Sequence, residues 1–170
     1  METRKVARIG MLMALAMILS YVESLFPAFV AVPGVRIGLA NLAVVFALYT
    51  LGFREAFAIS LLRVVLSSLL FGTVLSMAYS AAGAILSLIV MAVLKRTGLF
   101  GVPAVSVCGA VSHNLGQIAV ACLILNAKGL IYYVPVLMIA GVASGLVIGL
   151  TASVLVSRVS TVSEENEDGR

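Results

Sequence analysis

Long apolar runs dominate this sequence and restrict its fold more than any other feature. Runs of roughly 20 residues recur along the chain, and each is long enough to cross a bilayer. Only 11% of the 170 residues are charged, whereas soluble domains average about 25%. Open sheet edges cannot face lipid, and these runs lack the alternation of a membrane barrel, so the spans must be helices. The sequence predicts an all-α, polytopic membrane protein with six transmembrane helices: 6–29, 37–51, 56–71, 75–94, 102–125 and 130–156.

Basic residues lie at the ends of the apolar runs and predict the topology. With six spans, Arg36 and Lys128 fall on one side, and a larger group falls on the other: Arg4, Lys5, Arg8, Arg54, Lys95, Arg96 and Arg158. The positive-inside rule then predicts a multi-pass protein of the cell membrane with both termini in the cytoplasm. The formal net charge of +4 is explained by these scattered residues, so nucleic acid is not expected as a partner.

The domain organisation follows from the same pattern. Residues 1–157 are expected to form one six-helix transmembrane domain, because the connecting loops are too short to hold a soluble domain. Residues 158–170 are polar, and we expect them to form a cytoplasmic, disordered tail.

A few strongly polar residues interrupt the apolar helices and are the candidate substrate-binding residues. Such groups are costly inside a membrane and mark functional sites by default. The segment from Gly34 to Leu42, which carries an arginine and an asparagine at a membrane boundary, is predicted to form part of the wall of the site. The full set is Glu23, Arg36, Asn41, Arg63, His113, Asn114 and Gln117.

Each candidate also has a purely structural explanation. Glu23 and Arg36 are expected at similar depth, where they could form an ion pair that fixes the connecting loop. Arg63 shares a helical face with Ser60 and Ser67, and helix carbonyls could satisfy its guanidinium instead of an anionic ligand. The patch of His113, Asn114 and Gln117 could form hydrogen bonds between helices, each of about 0.6–2 kcal/mol.

Small residues predict where helices pack closely. Gly141, Gly145 and Gly149 recur at every fourth position of the last span and form one ridge for helix packing. Gly10 and Ala14 form a shorter ridge near the start of the first span. That ridge is explained either by internal packing or by docking to another membrane protein.

The sequence lacks the residues that several kinds of catalysis and metal binding require. The chain has a single histidine, so we expect no metal site. It has no Gly-rich phosphate loop, no Ser-His-Asp set and only one aspartate, Asp168, near its end. We therefore expect no catalytic residues and no cofactor, and an uphill transport function would take its energy from a partner or an ion gradient.

Four motifs resemble the Gx transporter family, whose members carry the label heptaprenyl diphosphate synthase component I. The motifs are GVRIGLANL at 34–42, FREAF at 53–57, LRVVLSSLLFG at 62–72 and SHNLGQ at 112–117. The resemblance covers about residues 7–157. That family is similar in turn to the substrate-binding S components of energy-coupling factor transporters, which are small six-helix membrane proteins that capture vitamins or metal ions.

The resemblance implies two alternative functions. In the first, the chain captures a small molecule and pairs with a transmembrane coupling protein and two ATPases. The family's docking surface consists of small residues on the first helix, and Gly10 and Ala14 match that pattern in part. In the second, the chain is a non-catalytic membrane component that assists a separate prenyl diphosphate synthase subunit in quinone synthesis, because the aspartate-rich motifs of such synthases are missing here.

Overall fold

The computed structural model describes residues 2–25, 38–126 and 128–168, and this part of the chain is helical throughout, without strands. A short 3₁₀ helix, Lys128–Tyr133, precedes the last α-helix. The α-helices are α1 Glu2–Leu25, α2 Asn41–Thr50, α3 Phe53–Phe71, α4 Val74–Thr97, α5 Val102–Leu125 and α6 Val134–Asp168. The all-α fold class predicted from the apolar runs is therefore confirmed.

Within the described residues, four helical segments are long and apolar enough to cross a membrane, as expected for a multi-pass membrane protein: Lys5–Leu25, Val74–Thr97, Val102–Leu125 and Gly129–Val159. The predicted number of six spans is not confirmed. The ten residues of α2 extend only about 15 Å, which is half of a hydrocarbon core of about 30 Å. The 19 residues of α3 include three charged side chains, Arg54, Glu55 and Arg63.

Helix ends coincide with local signals in the sequence. Thr73 and Ser76 form a reciprocal cap at the start of α4: the Ser76 amide donates to Thr73 Oγ1 at 3.1 Å, and the Thr73 amide donates to Ser76 Oγ at 3.0 Å. α5 begins after Gly101, with Pro103 in its first turn. α6 continues as a helix to Asp168, beyond the predicted end of the last span at residue 156.

The short helix α2 lies at the centre of the hydrophobic core. Its residues Val44, Val45 and Leu48 are almost fully buried, and they belong to the same cluster as Leu12 of α1 and Ile148 of α6. α5 makes its most extensive contacts with α4 and α6. All six α-helices contribute to the middle of the bundle, where the polar residues described below meet.

The glycines of α6 lie directly against α5. A Cβ atom on Gly145 would come within 2.7 Å of the Val107 Cα, and one on Gly149 within 2.6 Å of the Pro103 Cα. A Cβ on Gly141 would lie 2.9 Å from the Asn114 side chain. This ridge therefore packs inside the protein and fixes how closely α6 approaches the polar face of α5.

An ion pair joins α1 to the start of α3 and should make stability depend on pH. Lys5 forms this pair with Glu55 and lowers the pKa of the Glu55 carboxyl by hydrogen bonding. A lowered pKa means that this contribution to stability is fully present above the ordinary carboxyl pKa and is lost as pH falls through the lowered value. We expect Glu55→Gln to lower the melting temperature slightly at pH 7, and we expect this difference to shrink as the pH falls below the ordinary carboxyl pKa. If the difference in melting temperature between the unmodified protein and Glu55→Gln stays the same at acidic pH as at pH 7, the ion pair is excluded as its cause.

Candidate functional site

A polar cavity of about 40 Å³ lies where all six α-helices meet. Every helix contributes at least one side chain to its wall, and most of these side chains can form hydrogen bonds. The lining residues are Glu23, Gly38, Asn41, Arg63, Val64, Ser67, Ser80, Ala110, His113, Asn114, Gln117, Ser144 and Ile148. In a chain of 62% hydrophobic residues, this concentration of polar groups is the main candidate for a binding site.

The structure brings together six of the seven substrate-binding candidates named from the sequence. Arg36 lies outside the described residues. The others line the cavity from four different helices: Glu23, Asn41, Arg63, His113, Asn114 and Gln117. Residues that are up to 94 positions apart in the chain thus face one space.

Glu23 binds the backbone at the start of the segment that leads into α2. The Gly38 amide donates to Glu23 Oε1 at 2.6 Å, and the Asn41 amide donates to the Gly38 carbonyl at 2.8 Å. Gly38 has φ +77°, which an L side chain rarely adopts. This turn therefore needs glycine, and it fixes Glu23 and Asn41 on the same side of the cavity. Because Arg36 is outside the described residues, its predicted pairing with Glu23 stays a prediction.

Arg63 lies deep in the bundle, with only 8% of its surface exposed. Its Nη2 donates to Asn41 Oδ1 at 3.5 Å, which is a long and weak hydrogen bond. The predicted spans after the first contain no acidic residue, apart from Glu55 at the edge of the span 56–71, but the fold brings Glu23 of α1 to the cavity that Arg63 lines. The described part of the cavity therefore contains both a carboxylate and a guanidinium, with His113 as a third titratable group.

The polar patch on α5 both joins helices and faces the cavity. Asn114 Nδ2 donates to the Leu137 carbonyl of α6 at 2.8 Å, and Gln117 Nε2 donates to Ser80 Oγ of α4 at 3.4 Å. The hydrogen bonds between helices expected from the sequence are present for Asn114 and Gln117, and a role of the same residues in binding substrate stays a prediction. These hydrogen bonds hold the amide groups of Asn114 and Gln117 in place at the cavity wall.

The crossing of α4 and α5 positions this patch, and sequence reasoning missed it. A Cβ on Gly116 would lie 2.9 Å from the Gly83 Cα, and a Cβ on Gly83 would lie 2.6 Å from the His113 carbonyl oxygen and 2.7 Å from Gln117 Cγ. Glycine at both positions allows the two backbones to touch. Two isolated glycines within apolar helices were the available signal, because such glycines often have a packing reason.

The serines in the cavity wall were also missed as a group. Ser67, Ser80 and Ser144 come from three different helices. Serine is common on helix surfaces inside membranes, where its hydroxyl often bonds to its own helix. Ser67 and Ser144 do so here, with the carbonyls of Val64 and Gly141 at 3.3 and 3.4 Å.

The chemistry available to this cavity is recognition by hydrogen bonds and charge. Within residues 2–25, 38–126 and 128–168, His, Cys, Asp and Glu form no group of three that could hold a metal ion. The lining offers amide, hydroxyl, guanidinium, imidazole and carboxylate groups. Together these can bind a small polar group from several directions at once.

A family model described as heptaprenyl diphosphate synthase component I matches residues 12–155. The chain belongs to this family. The match to the heptaprenyl diphosphate synthase component I family extends over every residue that lines the polar cavity, and it confirms the family resemblance found in the sequence motifs. Comparisons with curated proteins and with solved structures gave no significant match.

Proposed function

We propose that this protein is the membrane-embedded substrate-binding component of a small-molecule transporter and that it is not itself an enzyme. The observation that carries this proposal is the polar cavity to which all six α-helices contribute. Structural hydrogen bonds between helices need only pairs of side chains, whereas here a guanidinium, a carboxylate, an imidazole and two amides face one space. Such convergence of buried polar groups is typical of substrate sites in membrane proteins.

The small size of the cavity indicates that the helices rearrange when a substrate binds. A cavity of about 40 Å³ holds roughly two or three water molecules, whereas sites for organic ligands usually enclose about 300–1,000 Å³. Binding a vitamin-sized molecule therefore requires the surrounding helices to move apart. We infer that the substrate binds to a more open arrangement of the helices.

The contacts at one end of the bundle support the orientation predicted from charge. Lys5 of α1 pairs with Glu55 at the start of α3. Lys95 at the end of α4 donates to the Leu48 carbonyl near the end of α2 at 2.7 Å. These basic residues thus lie at a common end, which the positive-inside rule assigns to the cytoplasm. The proposed topology has six helices in the membrane, with α2 crossing only part of it, and both termini in the cytoplasm.

We further propose that α1 docks to a separate coupling protein, which works with ATPases. Gly10 has no atom within 4 Å of the position of a Cβ, and Ala14 is exposed on the same helix. Large apolar side chains beside them are also exposed, with Met11 at 66% and Ile18 at 59%. A helix of a partner could therefore approach this face closely.

We expect Gly10→Leu to prevent docking without unfolding the protein. The new side chain projects into open space, so it costs nothing in the bundle but separates a partner helix from α1. Affinity purification of the variant from native membranes should recover at least tenfold less coupling protein and ATPase. Ile124→Leu, on an exposed position of α5, is the control and should leave recovery unchanged. Equal recovery with Gly10→Leu would exclude this face as the docking surface.

The proposed function is tested by affinity purification of the unmodified protein in mild detergent, followed by mass spectrometry of proteins and small molecules. A transporter component should bring with it a coupling protein, ATPases and a small molecule. In a parallel assay, a panel of vitamins and cofactors should contain at least one compound that raises the melting temperature. If no compound does so, and uptake is unchanged in a deletion strain, substrate capture is excluded.

The family description favours a second candidate function. The matched family is named for component I of heptaprenyl diphosphate synthase, so the protein could instead be a non-catalytic membrane subunit that assists a prenyl diphosphate synthase. Recovery of such a soluble synthase without ATPases, together with altered quinone content on deletion, would establish this function. The polar cavity would then bind a lipid head group or serve the packing of the helices.

A further inference from the structure

A second cavity, of about 110 Å³, lies beside the polar cavity between α4, α5 and the start of α6. Its wall is mainly apolar, with Ile118, Ala121 and Leu125 on one side. It extends from the buried Leu137, 7% exposed, to Tyr133, 41% exposed. The second cavity therefore runs from the interior of the bundle to its surface.

Asn114 and Gln117 line both cavities. Their amide nitrogens are occupied, by the Leu137 carbonyl and by Ser80 Oγ respectively. Their amide oxygens accept no hydrogen bond from any residue within 2–25, 38–126 and 128–168. These oxygens are acceptors held in position at the junction of a polar and an apolar space.

The two cavities differ in what they can hold. The described charged groups of the polar cavity are one carboxylate, Glu23, and one guanidinium, Arg63, so a polar group without net charge matches them. The second cavity is comparable with an apolar cavity of about 150 Å³ that binds benzene. It is thus suited to a small ring or a branched hydrocarbon group of similar size.

We propose that the ligand of this protein is amphipathic, with an uncharged or zwitterionic polar group in the polar cavity and an apolar group in the second cavity. Asn114 and Gln117 contact the ligand where these two parts join. The inference rests on the proposed function and specifies its substrate class.

The test uses a fluorescent reporter and a pair of brominated compounds. The chain contains no tryptophan, so Tyr133→Trp introduces a single one at the mouth of the second cavity. 4-Bromobenzamide combines an uncharged polar group with an apolar ring, and 4-bromotoluene has the ring alone. Bromine quenches tryptophan fluorescence on contact, so saturable quenching of the purified reporter protein measures binding of each compound.

Two further substitutions in the reporter protein separate the contribution of the second cavity to binding from that of the Gln117 amide. Ala121→Leu fills the second cavity and should lower the affinity for both compounds at least tenfold. If leucine prevents folding, Ala121→Val replaces it. Gln117→Met keeps the length of the side chain but removes its amide. It should weaken 4-bromobenzamide about tenfold, as expected for the loss of a buried hydrogen bond, and leave 4-bromotoluene unchanged.

Three results would overturn the inference. Equal binding of 4-bromobenzamide before and after Gln117→Met would show a site for apolar groups alone, such as a lipid chain or detergent. No effect of Ala121→Leu would place the compound elsewhere, and a lack of saturable quenching would show that this ligand class is not bound. None of these results affects the proposed function, which is decided by stabilisation of the unmodified protein in the vitamin and cofactor panel.

Discussion

Arg63→Leu is expected to abolish substrate binding in a protein that still folds. The substitution removes the buried guanidinium from the polar cavity and with it the hydrogen bonds that a charged donor makes, about 1.5–3 kcal/mol each. It also leaves the Glu23 carboxylate in the cavity without the opposite charge that lines the same space. A total loss on the order of 3 kcal/mol corresponds to about a hundredfold or more in Kd. The measurement is the titration of whichever compound raises the melting temperature of the unmodified protein.

Controls on the same helix separate binding from folding. Arg54→Leu also removes an arginine from α3, but at an exposed position at the helix start, and should leave Kd unchanged. Arg63→Lys keeps the charge but loses the planar donor geometry and should bind with intermediate affinity. A folded Arg63→Leu protein with unchanged Kd would show that Arg63 has a structural role only.

A second substitution measures how much the Glu23 carboxylate destabilises the Arg63→Leu variant. Arg63 is buried and Glu23 is half-buried at the same cavity, and a charge removed from water is destabilising when no opposite charge lies near it. Glu23→Gln in the Arg63→Leu background should therefore recover part of the lost melting temperature without recovering substrate binding. Recovery of both would show that the substrate needs neither charge and would exclude Arg63 as a binding residue.

Individual site residues were predictable from the sequence because placing a charged or strongly polar side chain inside a membrane is unfavourable in free energy. An arginine or a histidine inside an apolar helix is expensive, so Arg63 and His113 stand out without any structural information. Their meeting at one cavity was not predictable in the same way. These helices are apolar on nearly every face, so the hydrophobic pattern does not define how each is rotated about its axis. The rotation follows from close contacts such as that between Gly83 and Gly116.

Helix boundaries were predictable where the chain carries local stop signals. The predicted span 102–125 agrees with α5, Val102–Leu125, which Gly101 and Pro103 delimit at its start. The predicted span 37–51 is longer than α2, which begins at Asn41 after the left-handed turn at Gly38. The end of α6 was not predictable from its polar composition, because a helix that is already nucleated extends at little cost per residue.

Gly83→Leu is expected to destabilise the protein and to disturb the cavity at the same time. Its Cβ would lie 2.6 Å from the His113 carbonyl oxygen and 2.7 Å from Gln117 Cγ. The first of these atoms is backbone and cannot turn aside, so α5 must move away from α4. Overpacking of this kind costs about 1–3 kcal/mol, and the rigid contact places this case at about 3 kcal/mol. Reversible unfolding in mixed detergent micelles gives the free energy of unfolding.

Gly10→Leu makes the same chemical change at a glycine with open space around it, so it isolates the effect of the helix contact. Glycine is a poorer helix former than alanine by about 0.8–1 kcal/mol, and leucine ranks close to alanine, so Gly10→Leu should keep or slightly raise the free energy of unfolding. Because Gly83 contacts the same turn of α5 that carries His113 and Gln117, Gly83→Leu should also weaken substrate binding in molecules that remain folded. Equal stability of the two variants would show that α4 and α5 can separate without cost, and the positions of the α5 amides at the cavity would then need another cause.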